Sequence, residues 1–352
     1  MRAVALLAAL AACGNPLGDG DRLTTARQIT ADVIVPGFEA VVARTEALRV
    51  AIETLAAAPE QAALEAARAA WREARVAWKQ TDAFRFGPAK KLSFSASIDQ
   101  AIDQDRIVVV LMGAAPIDEA AIETLGANTK GFHAIELLVF GASTIADLTT
   151  DALAERRREL IVAYAQNLAK KARELRDAWT GGYAATFTEP GGANTEYPTA
   201  KSVIDALANE IWFQAEVIAD NRMGKPMGTK TGGVPQPDLE ESGPADNSIA
   251  DMVSSLRGIR NVYLGGEAPG DKGLSKLVLS QSADTDAEVL AQLAAATAAV
   301  TAIPTPYRAT LVDKRPEVPA AYAAVKELKV VLSTEVIGVL GATLKFNDND
   351  GD

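Results

Sequence analysis

Apolar positions along this chain recur with helical spacing. Ile34, Phe38, Val41, Thr45, Leu48, Ile52 and Leu55 advance by alternating steps of four and three, the stripe of a bundle helix, with Thr45 as its one polar member. Pro36 and Gly37 interrupt its first turns and predict a kink there. A second helix opens at Pro59, runs through Leu64, Trp71, Arg75 and Trp78 to about Phe84, and stops at Gly87-Pro88. The stretch from Lys90 to Gly126 is less regular. A short helix around His133 follows, then a long charged one from Asp151 to Thr180 with Leu153, Leu160, Tyr164, Leu168, Leu175 and Trp179 on its apolar side.

Turn chemistry then interrupts the pattern. Gly181-Gly182 and Pro190-Gly191-Gly192 mark a boundary between two helical units. Pro198 to Met223 reads as helix, and Gly224 to Ala245, rich in Gly and Pro, as a long irregular loop of the kind that is often functional. Further helices are predicted over 246–264, 271–280, 284–303 and 318–344, several with Asp at the N-cap. No segment alternates as a strand does. The predicted fold is all-α, two packed four-helix-type bundles: residues 26–190 form the first and 191–346 the second, with an acidic tail at 347–352.

The amino terminus has a separate logic. Met1-Arg2, an apolar run from Ala3 to Leu10, and Leu10-Ala11-Ala12-Cys13-Gly14 read as a bacterial lipoprotein signal cut before Cys13. Cys13 is the one cysteine of the chain, so no intramolecular disulfide forms. Its position instead predicts lipidation, with residues 14–25 as a tether. Several acyl chains hold a protein stably on a membrane without spanning it. Gly14 rather than Asp after the cysteine favours the outer membrane, facing the periplasm, in a Gram-negative host. The formal net charge of −11 argues against a nucleic-acid partner, because phosphate binding rests on Lys and Arg.

Candidate chemistry centres on the single histidine. His133 and Glu136 are three residues apart in Gly131-Phe132-His133-Ala134-Ile135-Glu136, so imidazole and carboxylate share a helix face. This stretch, GFHAIELLVFG from Gly131 to Gly141, resembles the G-x-H-x-x-E signature of the imelysin family, bacterial envelope proteins named as metallopeptidases and linked to iron. Trp71 to Pro88, Asn221 to Pro226, Asp246 to Gly265 and the closing Leu340 to Asp352 resemble other parts of that family. The resemblance implies two bundles side by side, with the histidine motif in a cleft near their junction.

One nitrogen and one carboxylate do not complete a metal site. Asp82 is the preferred further ligand because an acidic residue occupies that place in related iron-uptake proteins resembling this segment. Its competing role is an ion pair with Arg85, three residues on. Asp99 and Asp103, four apart, come next, with a solvated helix face as their plainer reading. Nitrogen plus carboxylates suits a divalent or trivalent ion, iron first and zinc or manganese after it, rather than copper(I). Arg85 and Phe86 are candidates to line the cleft.

The two histidines of H-E-x-x-H proteases cannot be supplied by a chain with one. The first functional expectation is a lipid-anchored envelope protein that binds iron and serves its uptake or handling together with iron-transport proteins. A metal-dependent peptidase is the alternative. A ligand-binding or structural helical module, with His133 and Glu136 in a hydrogen-bond network, is the third. Glu240-Glu241-Ser242 lies where the family shows similar residues, but the Gly243-Pro244 that follows departs from its pattern and puts a shared loop function in doubt.

Overall fold

The stripe beginning at Ile34 is buried as its spacing requires. In the computed structural model, which describes residues 17–141, 144–267 and 272–345, Phe38, Val41, Thr45, Leu48, Ile52 and Leu55 all face the core of one helix. Thr45 is tolerated there because its hydroxyl donates to the Val41 carbonyl one turn back, at 2.8 Å. Pro36 lies just after the π turn Thr30–Ile34, an irregular point in the helix where its missing N–H is accommodated.

The principal helices are α1 (Asp19–Ile29), α2 (Val35–Ala57), α3 (Gln61–Gln80), α4 (Phe132–Val139), α5 (Ala154–Ala178), α6 (Ala200–Glu216), α7 (Ser248–Leu264), α8 (Gly273–Gln281), α9 (Ala283–Thr301) and α10 (Glu317–Val331). No strand occurs among the described residues, so the chain is all-α. In the first half α2 packs on α3 and α5, and α4 lies against α3 and α5. In the second, α9 packs on α10 and α7, and α6 on α7 and α10. The halves meet where α3 runs along α7, and their buried apolar residues form one continuous core.

Three expectations need correction. Much of the segment read as a tether, 14–25, is helix from Asp19 onward, and α1 packs on α6 and α8 through Thr25, Ala26 and Ile29. The apolar face of α2 in effect extends backwards through a π turn at Thr30–Ile34, a continuity that the polar surroundings of Ala26 and Ile29 conceal. Two of the Asp residues assigned to N-caps, Asp246 and Asp284, sit elsewhere, and Asp271 lies outside the described residues. Ser282 caps α9 by accepting from the Thr285 N–H, leaving Asp284 in the first turn, and Asn247 precedes α7. Tyr307–Val312 adds a short helix that the pattern left unassigned. Cys13 and the tail 347–352 lie outside the described residues.

Close approach of α3 and α7 depends on one missing side chain. A Cβ at Gly258 would lie 2.3 Å from the Gln80 carbonyl oxygen, a backbone atom that cannot swing away. Gly258→Ala gains about 1 kcal/mol of helix propensity, but forcing the helices apart costs about 1–3 kcal/mol. The expected outcome is a lower urea midpoint at unchanged slope. A midpoint at or above wild type would mean that the α3–α7 seam is slack.

Candidate functional site

Gly131 places the histidine. Its φ of +84° disfavours any residue with a Cβ, and a Cβ there would stand 2.4 Å from the Ile98 carbonyl oxygen. The first turn of α4 therefore abuts the 97–98 backbone, which brings Asp99 to the imidazole. His133 Nε2 lies 3.2 Å from Asp99 Oδ1 and Nδ1 lies 2.7 Å from Glu136 Oε2. The second oxygen of Glu136 accepts the Ala245 N–H at 3.0 Å, tying α4 to the end of the long loop. Burial opposes charging of the ring, but hydrogen bonds to Asp99 and Glu136 outweigh it, and the imidazole pKa is pushed up to about 9.

A frame of buried cations surrounds this group. Arg75, with no exposed surface, pairs with Asp99 from the first half and with Asp251 of α7 from the second, at 2.7 Å to Asp251 Oδ2. Lys79, one turn on, places its ammonium 2.7 Å from Asp99 Oδ2 and against Glu241. Burial would raise the Asp99 carboxyl, yet Arg75 and Lys79 hold it well below the usual carboxylate range. Arg222 reaches Asp82 at 2.7 Å and Glu241 at 2.8 Å. Trp78 donates its indole N–H to Asp99 at 2.8 Å, so a residue read as plain core also orients a site carboxylate.

Beside this frame opens a cleft of about 510 Å³ between the halves, bounded by Asp99, His133, Glu136, Glu241, Arg85 and Arg222 among others. Within it Asp99, His133 and Glu241 each offer one donor atom, all within 4.8 Å of one another, a spacing that can hold a metal ion. His133 is thus one of the three residues that the structure brings together. Glu136 orients the ring and lines the cleft but is not one of the three converging donors. Asp82 takes the competing role foreseen for it: fully buried, it pairs with Arg85 and Arg222 and accepts from Ser255 at 2.6 Å.

Asp99 belongs to the site because its segment is a short bend after Phe94–Ile98, not the solvated helix face on which Asp103 would share its side. Asp103 itself is a correction. It caps the helix Gln104–Met112, accepting from Arg106, and is half exposed away from the three donors. Arg85 lines the cleft with its guanidinium 4.6 Å over the Trp78 ring. Phe86 does not line it, being buried against Trp179 and Phe187. Glu241 was missed as a donor because the Gly-Pro after it obscured the loop's return. Gly243-Pro244 instead turns the chain so that Ser242 donates to Asp251 at 2.6 Å and Pro244 borders the cleft.

Fold and site together define a helical protein with a charged, donor-bearing cleft at the junction of its two halves. The chain belongs to the imelysin family, whose model, peptidase family M75, matches residues 34–333. It is similar to iron-regulated protein A of Synechococcus elongatus, 29% identical over 269 residues that cover 73% of this chain and 70% of that one. The crystal structure of a putative iron-regulated protein A precursor from Parabacteroides distasonis superposes with a TM-score of 0.81 at 21% identity, covering 93% of this chain and 96% of the other. That of an imelysin-like protein from Psychrobacter arcticum gives 0.73 at 14% identity, over 94% and 98%. The two structural likenesses establish the common fold.

Because His133 is the one imidazole of the chain, its titration can be followed without assignment ambiguity. In metal-free protein the NMR midpoint is expected near pH 9 rather than 6.5. A raised folded-state pKa stabilises the fold fully below 6.5, and that contribution is lost as pH rises through 9. A midpoint at or below 6.5 would reject the paired-carboxylate geometry.

Proposed function

We propose that this chain is an envelope protein that captures iron in the cleft between its halves and serves its uptake or handling. The observation that carries the reading is the convergence of donor atoms of Asp99, His133 and Glu241 within 4.8 Å on an open cleft. One imidazole and two carboxylates form a donor set suited to iron, with zinc and manganese as competitors. The bond from Nδ1 to Glu136 supports it further, because metal-binding histidines typically donate their other ring N–H to a carboxylate or carbonyl that fixes the ring. Membership of the imelysin family and the likeness to an iron-regulated protein agree with an iron-related role.

The residues present fit an ion, with one qualification built into the site. Lys79 places its ammonium between Asp99 and Glu241, where a cation bridging the two would sit. A bound metal would therefore compete with this ammonium for the Asp99 and Glu241 oxygens, the Lys79 charge staying on the cleft lining, and the affinity would reflect that exchange. His133 would need to give up its Nε2 proton, so protons compete with the metal.

Isothermal titration of ferrous iron under anaerobic conditions tests this reading. Wild type is expected to take up one equivalent with a Kd below about 1 µM, roughly −8 kcal/mol. His133→Ala should weaken binding on the order of 100-fold, at least as much as losing a supporting partner does. No uptake of any first-row metal by wild type would end the proposal in favour of a purely structural network.

Attachment to a membrane through lipidated Cys13 is the second half of the proposal. It rests on the Leu10-Ala11-Ala12-Cys13 signal, and no described helix is long and apolar enough to cross a bilayer. Metabolic labelling with palmitate in a bacterial host should mark the wild-type chain and send it to the membrane fraction. Cys13→Ser should be unlabelled. Equal labelling of both would exclude this anchor.

A further inference from the structure

Charge balance in the cleft bears on the form in which a metal arrives. Five permanent cations, Arg75, Lys79, Arg85, Arg222 and Arg308, are interleaved with seven carboxylates, Asp82, Asp99, Glu136, Asp238, Glu240, Glu241 and Asp251. With His133 neutral, as a coordinating imidazole must be, this cluster carries two net negative charges. A bare divalent ion would balance it, whereas a trivalent ion would leave it one positive. Arg75, Lys79, Asp82, Asp99, Asp251 and Glu136 have side chains almost wholly buried, and uncompensated charge among such groups is costly.

Resting on the metal-capture reading, we propose that the cargo is an anionic carboxylate chelate, the metal entering with a small polycarboxylate rather than alone. For a trivalent ion the carboxylate supplies the missing negative charge, and it fills the coordination positions that three protein donors leave open. Arg85 is the residue placed to hold it. A guanidinium has five donors in a planar fork that matches a carboxylate. Among the described residues Arg85 engages Asp82 and lies 3.7 Å from Asp99, and the Trp78 ring fixes its plane from one side. Asp82 is already served by Arg222 and Ser255, so Arg85 can turn donors to a ligand without leaving that carboxylate alone.

Size agrees with this occupant. About 510 Å³ is far more than an ion needs and lies within the roughly 300–1,000 Å³ of small-molecule pockets. Asn221 and Gln104 add amide groups to the lining. Binding is an exchange of ligands on the metal and involves no electron transfer.

Equilibrium dialysis of the full-length chain against ferric citrate, with iron and citrate separately radiolabelled, tests the proposal. Wild type is expected to retain iron and citrate in equal amounts. Arg85→Ala should retain both about tenfold less, having lost a charge-assisted carboxylate contact. Arg85→Lys, which keeps the charge and is the smaller disturbance to folding, should fall between. Iron retained without citrate would overturn the chelate and leave the metal site standing. So would a chain that binds ferrous salt but takes nothing from ferric citrate. No iron retained from either source would remove the metal reading and this inference together, and citrate retention unchanged in both variants would overturn the role given to Arg85.

Discussion

Arg75 holds the molecule's two halves in register. It projects from α3 with no exposed surface, and its guanidinium is shared between Asp99 on one side of the junction and Asp251 of α7 on the other. Ser242 lies within 3.3 Å and Glu241 within 3.4 Å, so the loop from the second half is drawn to the same point. Burying such ions is expensive, and a well-packed apolar replacement is often as stable. What an apolar group cannot do is fix direction. Losing Arg75 would take the paired cation from Asp251 in a region where an unpaired charge costs several kcal/mol. Arg75 is thus the most buried of three cations, with Lys79 and Arg222, whose ion pairs cross the seam beside the packing of α3 on α7.

From that anchor the site follows by shared partners. Asp99 accepts from Trp78, Lys79 and Arg75 on the α3 side while facing His133 on the other. Its position is overdetermined by α3, so the imidazole meets a fixed oxygen. Lys79 links Asp99 to Glu241, and Arg222 links Glu241 to Asp82. The result is an alternating lattice of charge, held in place before any ligand arrives.

The long elements were legible in the sequence because their stripes are periodic and buried on one side. Ile34 to Leu55 is the clearest instance. The helical class and the place of His133 near the junction followed from the same pattern and from the G-x-H-x-x-E resemblance. The partners of His133 were not legible, for a physical reason. Asp99 and Glu241 lie on irregular segments, where no period predicts which way a side chain points. Their approach is set by Gly131 and by Arg75, contacts between residues dozens of positions apart. Asp82 and Asp103 are the converse. Each carries an Arg three residues on, Arg85 and Arg106, and that local pairing is what the structure realises.

The same geometry gives the motif a different meaning from a simple pair of ligands. At a spacing of three, Glu136 falls beside Nδ1 and takes that nitrogen, so Nε2 is the one directed to Asp99. Its other oxygen holds the Ala245 N–H, and Ala245 ends the loop that also carries Glu241 and Ser242. Glu136 thus joins the histidine helix to the loop that supplies another donor. Glu136 stands outside the three converging donors, and each of its oxygens is already held, one by the ring and one by the loop. The carboxylate of the motif is better understood as the clasp that keeps His133 aimed and Glu241 near, with Gly131 permitting the close approach on which both depend.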